Sequence, residues 1–269
     1  MIPRILDRRQ LLRPAVLIGT GALIVGGCAG LGLEHPATAP PPTPTVESSS
    51  PAPQASAGSA RGGLTDAQAH AALITVSDLG APWAPTRGAA TWRDGLLKAT
   101  TPVAECRRLL DALYTDELLG GPARADIALD NADTGAQLRF QIGGQKPQDV
   151  DRTLAWLATM PQTCARFTAT APGGTVQDVR VEAAALPEVG DARQGLRVRL
   201  ETVPEESEGD GDAEPVTLTL DVAAVRVGED AFALTNGGLG DVPNEATQAA
   251  VQLGALRLAD VRKQGRVEV

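Results

Sequence analysis

Residues 123–142 read Ala-Arg-Ala-Asp-Ile-Ala-Leu-Asp-Asn-Ala-Asp-Thr-Gly-Ala-Gln-Leu-Arg-Phe-Gln-Ile. Leu138, Phe140 and Ile142 alternate with polar residues, as a strand with one buried face should. Asn131 to Gly135 joins this run to a second strand signal, so strands are expected at 123–130 and 136–142. Working outward, further strands are expected at 165–171, 175–184, 193–203, 215–227 and 230–236. Thr65 and Gln68 form a capping box for a first helix over 66–73. Thr75-Val76-Ser77-Asp78-Leu79-Gly80 reads as a short capped turn. Thr101-Pro102 opens a helix over 101–118, with proline at its first position and Val103, Cys106, Leu110 and Leu113 on one face. A helix at 147–160 carries Val150, Leu154, Leu157 and Ala158. A final helix over 243–263 is expected to bury Ala246, Ala249, Ala250, Leu253 and Leu256. This order predicts an α+β fold: one domain with helices packed on a largely antiparallel sheet.

Charge and composition narrow the function. The chain of 269 residues has 24 Lys+Arg against 33 Asp+Glu, a net charge of −9. Such a chain is a poor partner for a phosphate backbone, so nucleic-acid binding is not expected. After residue 63 the only histidine is His70 and the only serines are Ser77 and Ser207. No G-x-S-x-G elbow surrounds either serine, and a His-based zinc site cannot be built from one histidine. No H-E-x-x-H, Walker A or dinucleotide fingerprint occurs. Gly143-Gly144-Gln145-Lys146 runs into Pro147 and reads as a hairpin end. No catalytic residue, metal site or cofactor is expected.

The N-terminus reads as an address. Arg4, Arg8, Arg9 and Arg13 precede an apolar stretch, Pro14 to Gly27. As a helix that stretch rises about 21 Å, short of a ~30 Å hydrocarbon core, so a signal peptide over 1–27 is expected. Val25-Gly26-Gly27-Cys28 resembles the lipobox of bacterial lipoproteins, which implies lipidation of Cys28. Asp7-Arg8-Arg9-Gln10-Leu11-Leu12-Arg13 resembles the twin-arginine export motif, with Arg8 and Arg9 as its pair. An ordinary Sec signal is the alternative. Residues 28–63 hold the lipidation site and a Pro/Ser/Ala-rich linker with too little apolar surface to pack. It would span roughly 33 Å as a flexible coil and up to about 110 Å as polyproline II. The expected location is the outer face of the cytoplasmic membrane, with lipid supplying the attachment.

Cys106 and Cys164 remain after Cys28. In an exported domain over 64–269 they most simply pair, fastening the 101–118 helix to the end of the next. The alternatives are a catalytic thiol, for which His70 is the one histidine base in the domain, and two free core thiols.

Several stretches together resemble a known family. They are Leu73 to Gly80, a cysteine in the helix that follows, and a second cysteine after the next helix. Leu186-Pro187-Glu188-Val189-Gly190-Asp191, Val225-Arg226-Val227-Gly228 and an alanine-rich last helix complete the order. The domain is similar to the extracellular sensor domain of PknH-type mycobacterial kinases, which also occurs in free actinobacterial lipoproteins. The resemblance implies an α+β domain with a cleft and a ligand-sensing role, and no catalytic residue. The family often has two disulfides, whereas this chain can make one.

Trp83 and Trp92 lie in a Gly/Pro-containing region and are the aromatic candidates for a ligand pocket wall, against plain packing. Trp156 is expected at the edge of its helix. Residues 205–214 hold six acids in ten but lack EF-hand spacing, so a solvated hairpin loop is expected there. Asn236-Gly237-Gly238-Leu239-Gly240 reads as a strand-to-helix turn, with an anion nest as the alternative. The leading expectation is a non-catalytic lipoprotein whose domain binds a small molecule, a lipid or an exported protein. The alternatives are an envelope hydrolase using paired carboxylates and a chaperone-like scaffold.

Overall fold

The alternation beginning at Gln137 belongs to one sheet of eight antiparallel strands. The computed structural model describes residues 63–203 and 214–267. The strands are β1 (Trp83–Pro85), β2 (Ala123–Asn131), β3 (Gln137–Gly143), β4 (Arg166–Thr170), β5 (Val176–Ala183), β6 (Ala192–Thr202), β7 (Thr217–Val227) and β8 (Asp230–Leu239). Their order across the sheet is β1-β2-β3-β8-β7-β6-β5-β4. The last strand to be made therefore joins an N-terminal meander to a C-terminal one. The fold is α+β.

Each strand sends alternate residues to opposite faces. On β7, Leu218, Leu220, Val222 and Ala224 enter one core and Ala223 and Val225 the other. The first core is covered by α3 (Ala104–Tyr114) and α4 (Pro147–Thr163), through Cys106, Leu109, Leu110 and Leu113 and through Val150, Leu154, Leu157 and Met160. A disulfide joins Cys106 to Cys164, with 5.6 Å between their Cα atoms, and fastens α3 to the end of α4. The second core is covered by α1 (Asp66–Ala71), α2 (Val76–Leu79) and α5 (Glu245–Val267). At its centre Phe140 stacks on Phe232, with ring centroids 5.0 Å apart. Gly254 of α5 lies against this pair; a Cβ there would come within 2.6 Å of the Phe140 ring.

The capping box before α1 is formed. The Gln68 N–H donates to Thr65 Oγ1 at 3.2 Å, and the Thr65 N–H donates to Gln68 Oε1 at 2.9 Å. Helix α3 starts later than Thr101-Pro102 indicates. Thr100 and Thr170 exchange backbone hydrogen bonds of 2.9 and 2.8 Å, which hold the chain extended against β4, and Val103 is left exposed at the N-cap. The helix ends before Thr115-Asp116, where Asp116 adopts a φ of 60°. A π-helical turn, Arg93–Leu97, precedes it. Its Arg93 donates to the carbonyls of Leu113 and Tyr114 at 3.0 and 2.9 Å, closing the last turn of α3.

Three other expectations are corrected. Helix α5 buries Thr247, Ala250, Val251, Ala255, Leu258 and Val261, whereas Leu256 is 61% exposed. The buried stripe follows the face that accepts the Phe140–Phe232 pair, about a third of a turn from the alanine-rich face. Residues 236–239 are not a strand-to-helix turn but the end of β8. Gly237 permits close approach there: a Cβ on it would lie 3.1 Å from the Trp92 ring. Gly143 to Lys146 joins β3 directly to α4 and is not a hairpin end. The three-residue strand β1 was not expected from the sequence; its short length and Pro85 suit an edge position.

Candidate functional site

The first turn of α5 lies between two grooves. The first, about 360 Å³, is walled by Trp83, Leu79, Val242 and Pro243, and reaches Asn236. The second, about 370 Å³, runs between the Ala183–Pro187 segment and α5, and reaches Arg197 and Asp221. Both volumes fall in the ~300–1,000 Å³ range of ligand pockets.

A buried polar chain connects them under the helix. Register places Arg197 of β6 opposite Asp221 of β7, and Asp221 opposite Asn236 of β8. Arg197 Nε donates to Asp221 Oδ1 at 2.7 Å, and Arg197 Nη2 donates to the Val242 carbonyl at 2.7 Å. The Thr247 hydroxyl donates to Asp221 Oδ2 at 3.1 Å, and the Asn236 amide donates to Thr247 Oγ1 at 3.2 Å. Asp221, Asn236 and Thr247 are all buried. The hydrogen bond to Asp221 raises the Arg197 pKa, so the guanidinium remains charged.

Other carboxylates near α5 are also tied to arginines. Asp78 pairs with Arg257 at 2.7 Å and accepts from the Thr75 N–H at 2.6 Å. Burial pushes its pKa up, but the bonds from Arg257 and Thr75 outweigh burial and hold it below the ordinary carboxylate value. Asp230 pairs with Arg262. On the other side of the sheet, Asp116 lies 2.8 Å from both Arg93 and Arg139. There burial prevails over the two arginines and raises its pKa. The space beside it is about 10 Å³, too small for a substrate.

The structure separates the two tryptophans grouped from the sequence. Trp83 lines the first groove. Trp92 is packed in the opposite core, against Gly237. Trp156 is half-buried at the edge of α4, where its Nε1 donates to Glu105 at 2.8 Å and Arg108 lies 4.1 Å from its ring centroid. His70 is exposed and its Nδ1 contacts the Asp66 carbonyl at 2.8 Å. Cys106 and Cys164 lie in the α3–α4 core, away from both grooves. Arg8, Arg9, Cys28, the linker up to residue 62 and residues 205–213 of the acidic stretch lie outside the described residues. Sequence reasoning missed Arg197, Asp221 and Thr247, and met Asn236 only as the start of a turn. The one available signal was a charged or amide side chain at inward positions of strands otherwise rich in valine, leucine and alanine.

The stretches Leu186–Asp191 and Val225–Gly228 meet in space. The Asp191 N–H donates to the Arg226 carbonyl at 2.8 Å, and the Gly228 N–H donates to Asp191 Oδ2 at 2.5 Å. Among the described residues, no cluster of three His, Cys, Asp or Glu side chains could hold a metal ion. No described helix is long and apolar enough to cross a membrane.

No family model and no curated protein matches the chain. Among solved structures, it is similar to the extracellular domain of PknH from Mycobacterium tuberculosis. The identity is 14% and the TM-score 0.45, over 74% of this chain and 97% of that one. The fold class rests on the strand order and helix placement described above.

Proposed function

We propose that this protein is an extracytoplasmic lipoprotein, anchored through lipid on Cys28, whose 64–269 domain binds a ligand without transforming it. The lipobox-like Val25-Gly26-Gly27-Cys28 and the Pro/Ser/Ala-rich stretch after it support the anchor and the tether. The groove walled by Trp83 and floored by Asn236 carries the binding reading. The carboxylate-hydrolase reading gains little from this site. Asp221 is engaged by Arg197 and Thr247, and Asp78 is held below its ordinary pKa, whereas a general acid needs a raised one.

Two measurements test the proposal on full-length protein. Metabolic labelling with a lipid precursor is expected to mark the wild type and not Cys28→Ala, which should leave the membrane fraction. Native mass spectrometry from mild detergent is expected to show a reproducible adduct that disappears on denaturation. Ala249→Arg, which fills the Trp83 groove from the helix side, should remove that adduct. Unlabelled wild-type protein would overturn the anchor. An adduct unchanged by Ala249→Arg would overturn the site.

A further inference from the structure

The floor of the Trp83 groove has a hydrogen-bond polarity fixed from below. Asp221, as a carboxylate, only accepts. Thr247 Oγ1 lies 3.1 Å from Asp221 Oδ2, so the single hydroxyl proton is committed there. That hydroxyl oxygen can then only accept, and Asn236, 3.2 Å away, must present its NH₂. Asn236 is 1% exposed, and its Oδ1 has no partner among the described residues. A buried carbonyl left this way bears its full desolvation cost until a donor arrives.

The rest of the lining states what that donor is attached to. Glu245 and Ala246, in the first turn of the 23-residue helix α5, border the groove. The leading N–H groups of a helix have no intrahelical acceptor. The groove thus offers an acceptor at Asn236 beside donors at α5. A carboxylate ligand would bring no donor for Asn236 and would face the carboxylates of Asp78 and Glu245, with no Lys or Arg in the lining. An ammonium would be drawn to Glu245, since Asp78 is already paired with Arg257, but it would bring no acceptor for the N–H groups and would meet the positive end of the helix dipole. A secondary amide presents one donor and one acceptor and carries no charge.

We propose that the Trp83 groove recognises a secondary amide. Its N–H donates to Asn236 Oδ1, its carbonyl accepts from the first turn of α5, and its apolar flank lies against Trp83. This rests on the reading that the domain binds a ligand. An N-acetylated sugar and a peptide share this chemistry.

The test uses full-length protein labelled with 5-fluorotryptophan, which gives one ¹⁹F signal for each of three tryptophans. N-methylacetamide is titrated against methyl acetate, its ester counterpart without the N–H. The amide is expected to shift the Trp83 signal saturably and to leave Trp92 and Trp156 in place. The ester should bind about tenfold more weakly or worse, because a site built for a donor rejects the analogue lacking it. Ala249→Arg should abolish the shift while the Trp92 signal, from the opposite core, stays at its wild-type position and reports an intact fold. N-acetylglucosamine and N-acetylalanine methylamide then show which source binds more tightly. Equal shifts with ester and amide, no Trp83 shift with any amide, or a shift that survives Ala249→Arg would overturn the proposal. A native adduct that lacks an amide N–H would overturn it while leaving ligand binding standing. The loss of both adduct and shift would overturn both.

Discussion

The two faces of the sheet are held by different chemistry. Under α3 and α4 the contacts are mostly aliphatic, with Trp92 and Phe167 among them, and a disulfide fastens the helices. Under α5 the Phe140–Phe232 pair is followed, towards the helix N-terminus, by the chain Arg197–Asp221–Thr247–Asn236. The first face also buries charge, at Arg93, Asp116 and Arg139, but the space beside that cluster is only about 10 Å³; the second brings its buried polar groups to two grooves. A rigid backing of this kind keeps a polar floor in register.

The largest expected difference comes from breaking each face at its own fastening. Asp221→Ala leaves Arg197 partly buried without its counter-charge and should cost about 3–5 kcal/mol in denaturant unfolding. Replacing Arg197 and Asp221 together by Met and Leu should recover most of that loss, since a buried pair contributes little over apolar packing. Reducing the disulfide should cost the α3–α4 face about 2–4 kcal/mol, read as a shift of the unfolding midpoint. If Asp221→Ala costs less than reduction, the contrast between the faces is wrong.

Gly254→Ala sharpens the comparison within the α5 face. Helix propensity favours alanine by about 1 kcal/mol. The new Cβ would nevertheless sit 2.6 Å from the Phe140 ring, and overpacking of this kind costs about 1–3 kcal/mol. Net destabilisation is expected, and Phe140→Leu in the same chain should relieve it.

Acid should separate the faces by sign. Asp78, beside α5, has a lowered folded pKa, so its contribution is present above the unfolded value of about 3.9 and fades as pH falls through the folded one. Asp116, on the α3 side, has a raised folded pKa, so its favourable contribution lies below about 3.9 and is lost as pH rises through the folded value. Between pH 5 and 3, Asp78→Asn should flatten the decline in stability and Asp116→Asn should steepen it. Equal slopes in the two variants would remove this distinction.

Much of the scaffold was legible in the sequence. Alternation in 136–142 identified a strand because it has a buried and a polar side. The alanine-rich C-terminus announced a helix but not its inner face: Ala246, Ala249, Ala250, Leu253 and Leu256 made a plausible stripe, of which Ala250 is fully buried, yet the Phe140–Phe232 stack selects the side bearing Gly254. The glycines at 237 and 238 imitated a turn because the close approach of Trp92 and Ala136 cannot be seen locally. The candidate site was illegible for a related reason. Arg197, Asp221, Asn236 and Thr247 come from β6, β7, β8 and α5, and only strand register brings them together. Trp83 and Trp92, nine positions apart, suggested one wall; the sheet lies between their cores.

The strand order also governs how the protein can be made. β1–β2–β3 and β4–β7 are each consecutive meanders, but neither touches the other until β8 slips between β3 and β7. A chain emerging from the ribosome holds an unpaired β3 edge through more than eighty further residues. Such an edge is an invitation to pair with another chain. Closure of the sheet is thus a long-range event reserved for completed chains, slow by topology and exposed to misassembly until then. A truncation before Asp230 would yield two separate half-sheets rather than a smaller version of the domain.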